Sequence, residues 1–147
     1  MNTSTKTIEV NVERTIAATP SEAFDAWLNP KVPGTPWKMA EKLLLNPHVD
    51  GLFYWLIRGT AHYGRFTEIT RPSHLQHTWV SPNTHGIESL VTVTFKKQGD
   101  STLMTLVHSG LPDTDQGRSH DKGWTLFLDG FREQLAESRM HSPAAVS

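Results

Sequence analysis

Apolar and polar residues alternate from the start of the chain. Ile8, Val10, Val12 and Ile16 share one parity, with Arg14 on the same face. Period two predicts a strand. Thr19-Pro20-Ser21-Glu22 then carries the signals of a helix start. Thr19 is placed to cap, Pro20 tolerates the first helical position, and Glu22 completes a capping box. Ala23, Phe24 and Trp27 form the buried stripe of that short helix, and Asn29-Pro30 ends it. Residues 30–37 hold Pro30, Pro33, Gly34 and Pro36, which predicts a loop or a short broken helix.

From Glu41 the period is again two. Strands are predicted over 43–46, 52–58, 61–70, 74–80, 87–97 and 102–109, separated by Gly, Pro and Asn/Asp turns such as Gly59-Thr60 and Gln98-Gly99-Asp100. Alternation sends Phe53, Trp55, Ile57, Leu75, His77, Trp79, Val91, Val93, Phe95, Met104, Leu106 and His108 to one side. The opposite side receives Gln76, Thr78, Thr92 and Thr94, together with Leu103 and Val107, whose apolar character there suggests a dimer or partner patch. After Gly110-Leu111-Pro112 the period changes to that of a helix. Trp124, Leu128, Phe131 and Leu135 recur at helical spacing, widened by Phe127, and predict a long helix over about residues 118–138. Gly123 beside Trp124 suggests a close approach of helix to sheet.

This order of elements is α+β. A curved antiparallel sheet of six or seven strands wraps around the C-terminal helix, with a short helix after the first strand. The apolar face and the apolar stripe must bury each other, and space between them can become a cavity. At 147 residues the chain is expected to be one domain, with loose ends at about 1–6 and 140–147.

Composition narrows the function. Lys+Arg is 14 and Asp+Glu is 15, so no basic excess exists to neutralise a phosphate backbone, and nucleic acid is not an expected partner. With no cysteine, disulfides, thiol catalysis and thiolate metal sites all drop out. No apolar run reaches the roughly 20 residues of a membrane span, and the polar N-terminus has no signal-peptide core. No membrane association is expected, and the cytoplasm is the default location. Five Trp, six Phe and two Tyr with eight His are unusual, and suit an apolar pocket with a few polar handles.

The residues most open to a ligand role follow from the inward face. Trp55, Trp79 and Trp124 are bulky for a small dry core and suit a ligand slot, flanked by Phe53 and Leu128. His77 and His108 point the same way. Buried imidazoles need partners, and each is either a satisfied core histidine or a group that orients a ligand or relays a proton. Arg14 is expected in an ion pair with Glu68 at the cavity rim, or as a clamp for a ligand carboxylate. His74 and His77 face opposite sides of a strand, so a metal site would need His48, His62 or His120 to converge from elsewhere. No helical His-Glu-x-x-His is present, and no metal or cofactor is expected. A Gly-x-Ser-x-Gly elbow and a Gly-rich phosphate loop are also missing.

Several stretches, in this order, resemble the START-like (helix-grip) superfamily, and within it the branch homologous to the C-terminal domain of the heat-shock-protein ATPase activator. They are Glu13 to Pro20 leading into Ala23-Phe24-Asp25-Ala26-Trp27, then Gly51-Leu52-Phe53, Gly64 to Ile69, Arg71 to Leu75, Thr78-Trp79, Thr102 to Gly110 and Gly123-Trp124. The chain departs from the branch at Asp50-Gly51, where paired glycines are usual, and in the Pro-rich connector around Gly34-Thr35-Pro36-Trp37. The resemblance implies a cavity between sheet and C-terminal helix that binds apolar or aromatic small molecules. Three functions remain open: a hydrophobic small-molecule carrier, a cofactor-free cyclase or hydrolase using cavity histidines, and an interaction module for a chaperone ATPase, with a homodimer also possible. Eukaryotic co-chaperones of this kind rely on a further N-terminal domain, for which 147 residues leave no room.

Overall fold

The computed structural model describes residues 6–141. The ends expected to be loose therefore lie outside the described residues, apart from Lys6 and the last helical turn. Seven strands form one antiparallel sheet in the order β1-β7-β6-β5-β4-β3-β2. They are β1 (Thr7–Ile16), β2 (Lys42–Leu45), β3 (Leu52–Ile57), β4 (Thr60–Thr70), β5 (His74–Trp79), β6 (Ser89–Gln98) and β7 (Ser101–Pro112). Helix α1 (Pro20–Trp27) follows β1. The C-terminal helical region is two pieces, a single turn α2 (Asp115–Arg118) and the long α3 (His120–His141), where one helix over 118–138 was expected. Thr114 caps the first piece by accepting from the Gly117 N–H at 3.0 Å. Among the described residues no helix is long and apolar enough to cross a membrane.

Register explains the inner face. Phe66 pairs with His77, His77 with Val91, Val91 with His108 and His108 with Val10, so five strands contribute one row. A second row runs Leu75, Val93, Leu106, Val12. All these side chains are buried, and Leu128 and Phe131 of α3 close over them. The capping box of α1 forms as its sequence predicts: Glu22 N–H donates to Thr19 Oγ1 at 3.2 Å, and Thr19 N–H donates to Glu22 Oε1 at 2.8 Å.

The Pro-rich connector is held by indoles. Trp37 Nε1–H donates to the Trp27 carbonyl at 3.0 Å, and Trp55 Nε1–H donates to the Pro36 carbonyl at 2.7 Å. A loop with three prolines has few N–H groups of its own, so side-chain donors from the core fix its path.

Three local expectations are corrected. Arg14 does not meet Glu68; its Nε donates to Asp129 Oδ1 of α3 at 2.6 Å, while Glu68 pairs with His74 at 2.9 Å. Thr78 is buried, because Gly64 brings β4 close over it and the Arg65 N–H donates to Thr78 Oγ1 at 2.9 Å. Leu103 and Val107 are half-buried on the outer face, as a partner patch allows, and the large exposed apolar residues on strands are Leu44, Leu52 and Tyr63. Gly123 makes no close approach, since a Cβ there would meet nothing within 4 Å. The tight contact belongs to Gly34 (φ +90°), where a Cβ would stand 2.8 Å from the Gly130 carbonyl oxygen and 2.9 Å from the Phe131 Cα.

The contact at Gly34 is asymmetric, which makes it testable. Gly34→Ala faces both a left-handed backbone and an immovable helix, and is expected to cost more than about 2 kcal/mol. A Cβ on Gly130 would meet only the Gly34 Cα, at 3.9 Å. Gly130→Ala should therefore be neutral or gain up to about 1 kcal/mol from helix propensity. Urea denaturation of the two variants checks this; equal losses would contradict it.

Candidate functional site

A cavity of about 540 Å³ opens between the start of α3 and the β3–β5 end of the sheet. Its floor is aromatic. Trp55 lies 5.5 Å from Trp79, Trp79 5.1 Å from Trp124, Trp124 6.1 Å from Phe127, and Phe127 5.8 Å from Trp55, so four rings close a circuit. Exposed Met39, Arg58 and Leu126 stand at the rim, and His62, Asn83, Ser119 and His120 supply polar atoms. Gly123 adds a stretch of bare backbone to the wall.

The expected site residues divide. Trp55, Trp79 and Trp124 line the cavity together. Phe53 lies under it, packed on His77 at 4.9 Å and Trp37 at 5.5 Å. Leu128 is fully buried one turn beyond Trp124, and Arg14 is engaged with Asp129 on the side of α3 near β1. Neither reaches the cavity lining, nor do His77 and His108.

His108 sits behind Trp79 and Trp124 in a closed chain of hydrogen bonds. Trp124 Nε1–H, which can only donate, bonds His108 Nδ1 at 2.9 Å. Nδ1 is therefore the acceptor, and the ring's proton lies on Nε2, which donates to Ser89 Oγ at 2.7 Å. Ser89 Oγ–H in turn donates to the Trp79 carbonyl at 2.7 Å. Both nitrogens are committed, and no proton or lone pair of His108 is left for a ligand. Burial, reinforced by His120 and His77 nearby, pushes its pKa down to about 2. His77 donates from Nδ1 to the Thr78 carbonyl at 2.9 Å, and burial lowers its pKa to about 4 despite that carbonyl.

The cavity's own histidines are His62 and His120, which sequence reasoning raised only as metal ligands. His62 faces inward on β4 directly opposite Trp55 and is 6% exposed. Burial holds its pKa at about 4; the carbonyls of Trp55 and Thr60 oppose this only in part, and Nδ1 makes no hydrogen bond. Trp79 Nε1 is likewise buried without a partner among the described residues. The signals for this pair were alternation through Thr60, His62, Gly64 and Phe66, and the four-residue spacing from His120 to Trp124. Among the described residues no group of three or more His, Asp or Glu could hold a metal ion.

Comparison with known proteins agrees with the fold. The family described as activator of Hsp90 ATPase homolog 1-like protein matches residues 17–136. No curated protein matches the sequence. Among solved structures, the Aha1 dimer from Colwellia psychrerythraea is 15% identical with a TM-score of 0.71, over 87% of this chain and 96% of that one. An HSP90 activator from Plasmodium falciparum is 20% identical with a TM-score of 0.67, over 88% and 91%. CalU16 from Micromonospora echinospora is 18% identical with a TM-score of 0.66, over 94% and 90%. At these identities the likeness is one of fold.

Two expectations follow from the histidine chemistry. Removing the indole in Trp124→Ala should cost about 3–5 kcal/mol. Trp124→Phe, which keeps a ring but orphans His108 Nδ1, should cost about 1–3 kcal/mol. A loss under about 1 kcal/mol for the alanine variant in urea would contradict the anchoring role. The second concerns acid. His77 and His108 have folded pKa values below their ordinary 6.5, so the unfolded chain takes up protons first and stability falls as pH drops below about 6.5. By pH 5.5 each removes about 1.4 kcal/mol, about 3 kcal/mol together, with His62 acting in the same direction. The carboxylates of Glu22, Asp25 and Asp129, also lowered, act only below about pH 4.5. Urea midpoints that coincide at pH 7.5 and 5.5 would contradict this.

Proposed function

The chain belongs to the activator of Hsp90 ATPase homolog 1-like family, and on that premise we propose that it binds a small apolar or aromatic molecule in the cavity beside α3. The observation that carries this reading is a space of about 540 Å³ floored by four aromatic rings, within the size range of small-molecule sites. Two buried nitrogens on the residues that form it, Trp79 Nε1 and His62 Nδ1, lack partners among the described residues. Such groups are rare in a finished core and common where a ligand or water completes the site. The rings supply apolar area, the imidazoles orientation.

A second reading has its own support. Relatives of this fold carry the name of HSP90 activators, and one is a dimer. Leu44, Tyr54 and Tyr63 stand directly across one another on β2, β3 and β4, and Leu44 and Tyr63 are exposed. An apolar row on the outer face next to an edge strand suits a protein partner or a second copy better than a metabolite.

The two readings separate at Gly123. Its wall position faces open space, so Gly123→Leu adds a side chain into the cavity without displacing the core. The variant should fold, and gain up to about 1 kcal/mol from helix propensity. Wild-type protein should be stabilised by 2-methoxynaphthalene, by about 2.7 kcal/mol at 100 times Kd. Gly123→Leu should lose that stabilisation. An unchanged response in the variant, or no stabilisation of the wild type by either 2-methoxynaphthalene or 2-naphthol, would refute cavity binding. Native mass spectrometry of the freshly purified protein gives the independent readout of a copurified small molecule.

A further inference from the structure

His120 opens α3, and its ring is held by one edge. Nδ1 lies 3.0 Å from the Gln116 carbonyl oxygen and 3.1 Å from that of Gly117, both in α2. A carbonyl oxygen only accepts, so Nδ1 carries the hydrogen. Burial lowers the pKa of His120, the two carbonyls notwithstanding, so near neutral pH the ring is uncharged and has that one proton. Nε2 is then a lone pair. It bonds no described residue and is not among the buried orphan atoms, while the ring lines the cavity. His108, its neighbour at 5.1 Å, has the opposite tautomer and is closed. The cavity thus holds a fixed acceptor whose direction the protein has set.

We propose that the occupant of this cavity is an uncharged hydroxyl-bearing molecule, an alcohol or phenol on an apolar body, whose O–H donates to His120 Nε2. The inference rests on the cavity-binding reading and adds the donor. A ketone, ether or ester of the same shape would set its oxygen lone pairs against that of Nε2. No carboxylate lines the cavity, so no stronger acceptor competes for the O–H. His62 shares the cavity and lies close enough to His120 for a charge on one to oppose a charge on the other. The carbonyls of Trp55 and Thr60 act on the His62 ring, while its Nδ1 has no partner among the described residues. A hydroxyl supplies the donor that His120 Nε2 lacks.

Calorimetric titration with 2-naphthol and 2-methoxynaphthalene at neutral pH tests this. The pair differs in the hydrogen-bond donor on one shared ring system. The wild type should bind 2-naphthol about tenfold or more tightly, the scale of one buried acceptor left unsatisfied. In His120→Phe, which keeps the ring and removes Nε2, the preference should vanish. Equal affinities in the wild type would overturn the donor assignment while leaving cavity binding intact. If neither compound binds, cavity binding itself fails and this inference with it. A preference that persists in His120→Phe would overturn the role of Nε2. Should that variant not fold, the ¹⁵N resonance of His120 Nε2 in the wild type replaces it. 2-Naphthol should move it from the free-acceptor position and 2-methoxynaphthalene should not; an unmoved resonance with bound naphthol overturns the proposal.

Discussion

Everything near the cavity depends on one buried chain of hydrogen bonds, from the Trp124 indole through His108 and Ser89 to the carbonyl of Trp79. It crosses from α3 to β7, β6 and β5, and each group has one possible role in it. The indole can only donate and the carbonyl can only accept, so the direction of every proton between them is set. A network that is fully satisfied and cannot reverse specifies one arrangement of helix against sheet, and penalises every other by a buried orphan. It also places the Trp124 and Trp79 rings 5.1 Å apart, and those two rings are half of the cavity floor. Structure and site therefore share a part: the histidine that looks most catalytic by position is the one that holds the walls.

The inward histidines differ in what the backbone has already claimed. His108 has both nitrogens claimed, and His77 has given Nδ1 to Thr78. His120 has one claimed, and His62 keeps Nδ1 without a partner among the described residues. Burial makes the charged form costly in all four, so at neutral pH they are donors and acceptors rather than cations. Of the histidines with a nitrogen left over, only His62 and His120 line the cavity.

Alternation was enough to read the sheet. Period two on β3, β5, β6 and β7 assigned Trp55, His77, Trp79, Val93 and His108 to the inside, because each strand has one dry face and a slip of one residue would expose it. The same pattern could not say which inward residues touch empty space. That depends on where α3 lies, and its position is fixed by Gly34 and by the Trp124–His108 bond, neither of which has a periodic signature. Arg14 found Asp129 instead of Glu68 because α3 crosses β1, a contact between residues 115 apart in the chain. Thr78 broke the parity rule because a bulge between Phe66 and Glu68 and the glycine at 64 let β4 swing over it. His120 was missed because it precedes the apolar stripe and belongs as much to α2, which caps it, as to α3.

The cavity itself is a consequence of unequal spacing along α3. At its middle the helix is pressed against the connector: the Gly34 backbone fits under Gly130 and Phe131 with no room for a methyl, and Leu128 and Phe131 are sealed. One and a half turns earlier the helix rests on Trp124 and Trp79, whose large rings meet tilted at 55° and cannot interdigitate as aliphatic chains do. There the bare backbone of Gly123 looks onto open space. The helix is held close at one point and propped on two indoles at another, and the gap lies where β3 and β4 turn. Larger residues at 34 would lift the whole helix, and smaller ones at 124 or 79 would let it settle and close the gap. The void is therefore not a packing defect that a few methyl groups would heal, but the geometric result of a glycine and two tryptophans at opposite ends of one contact.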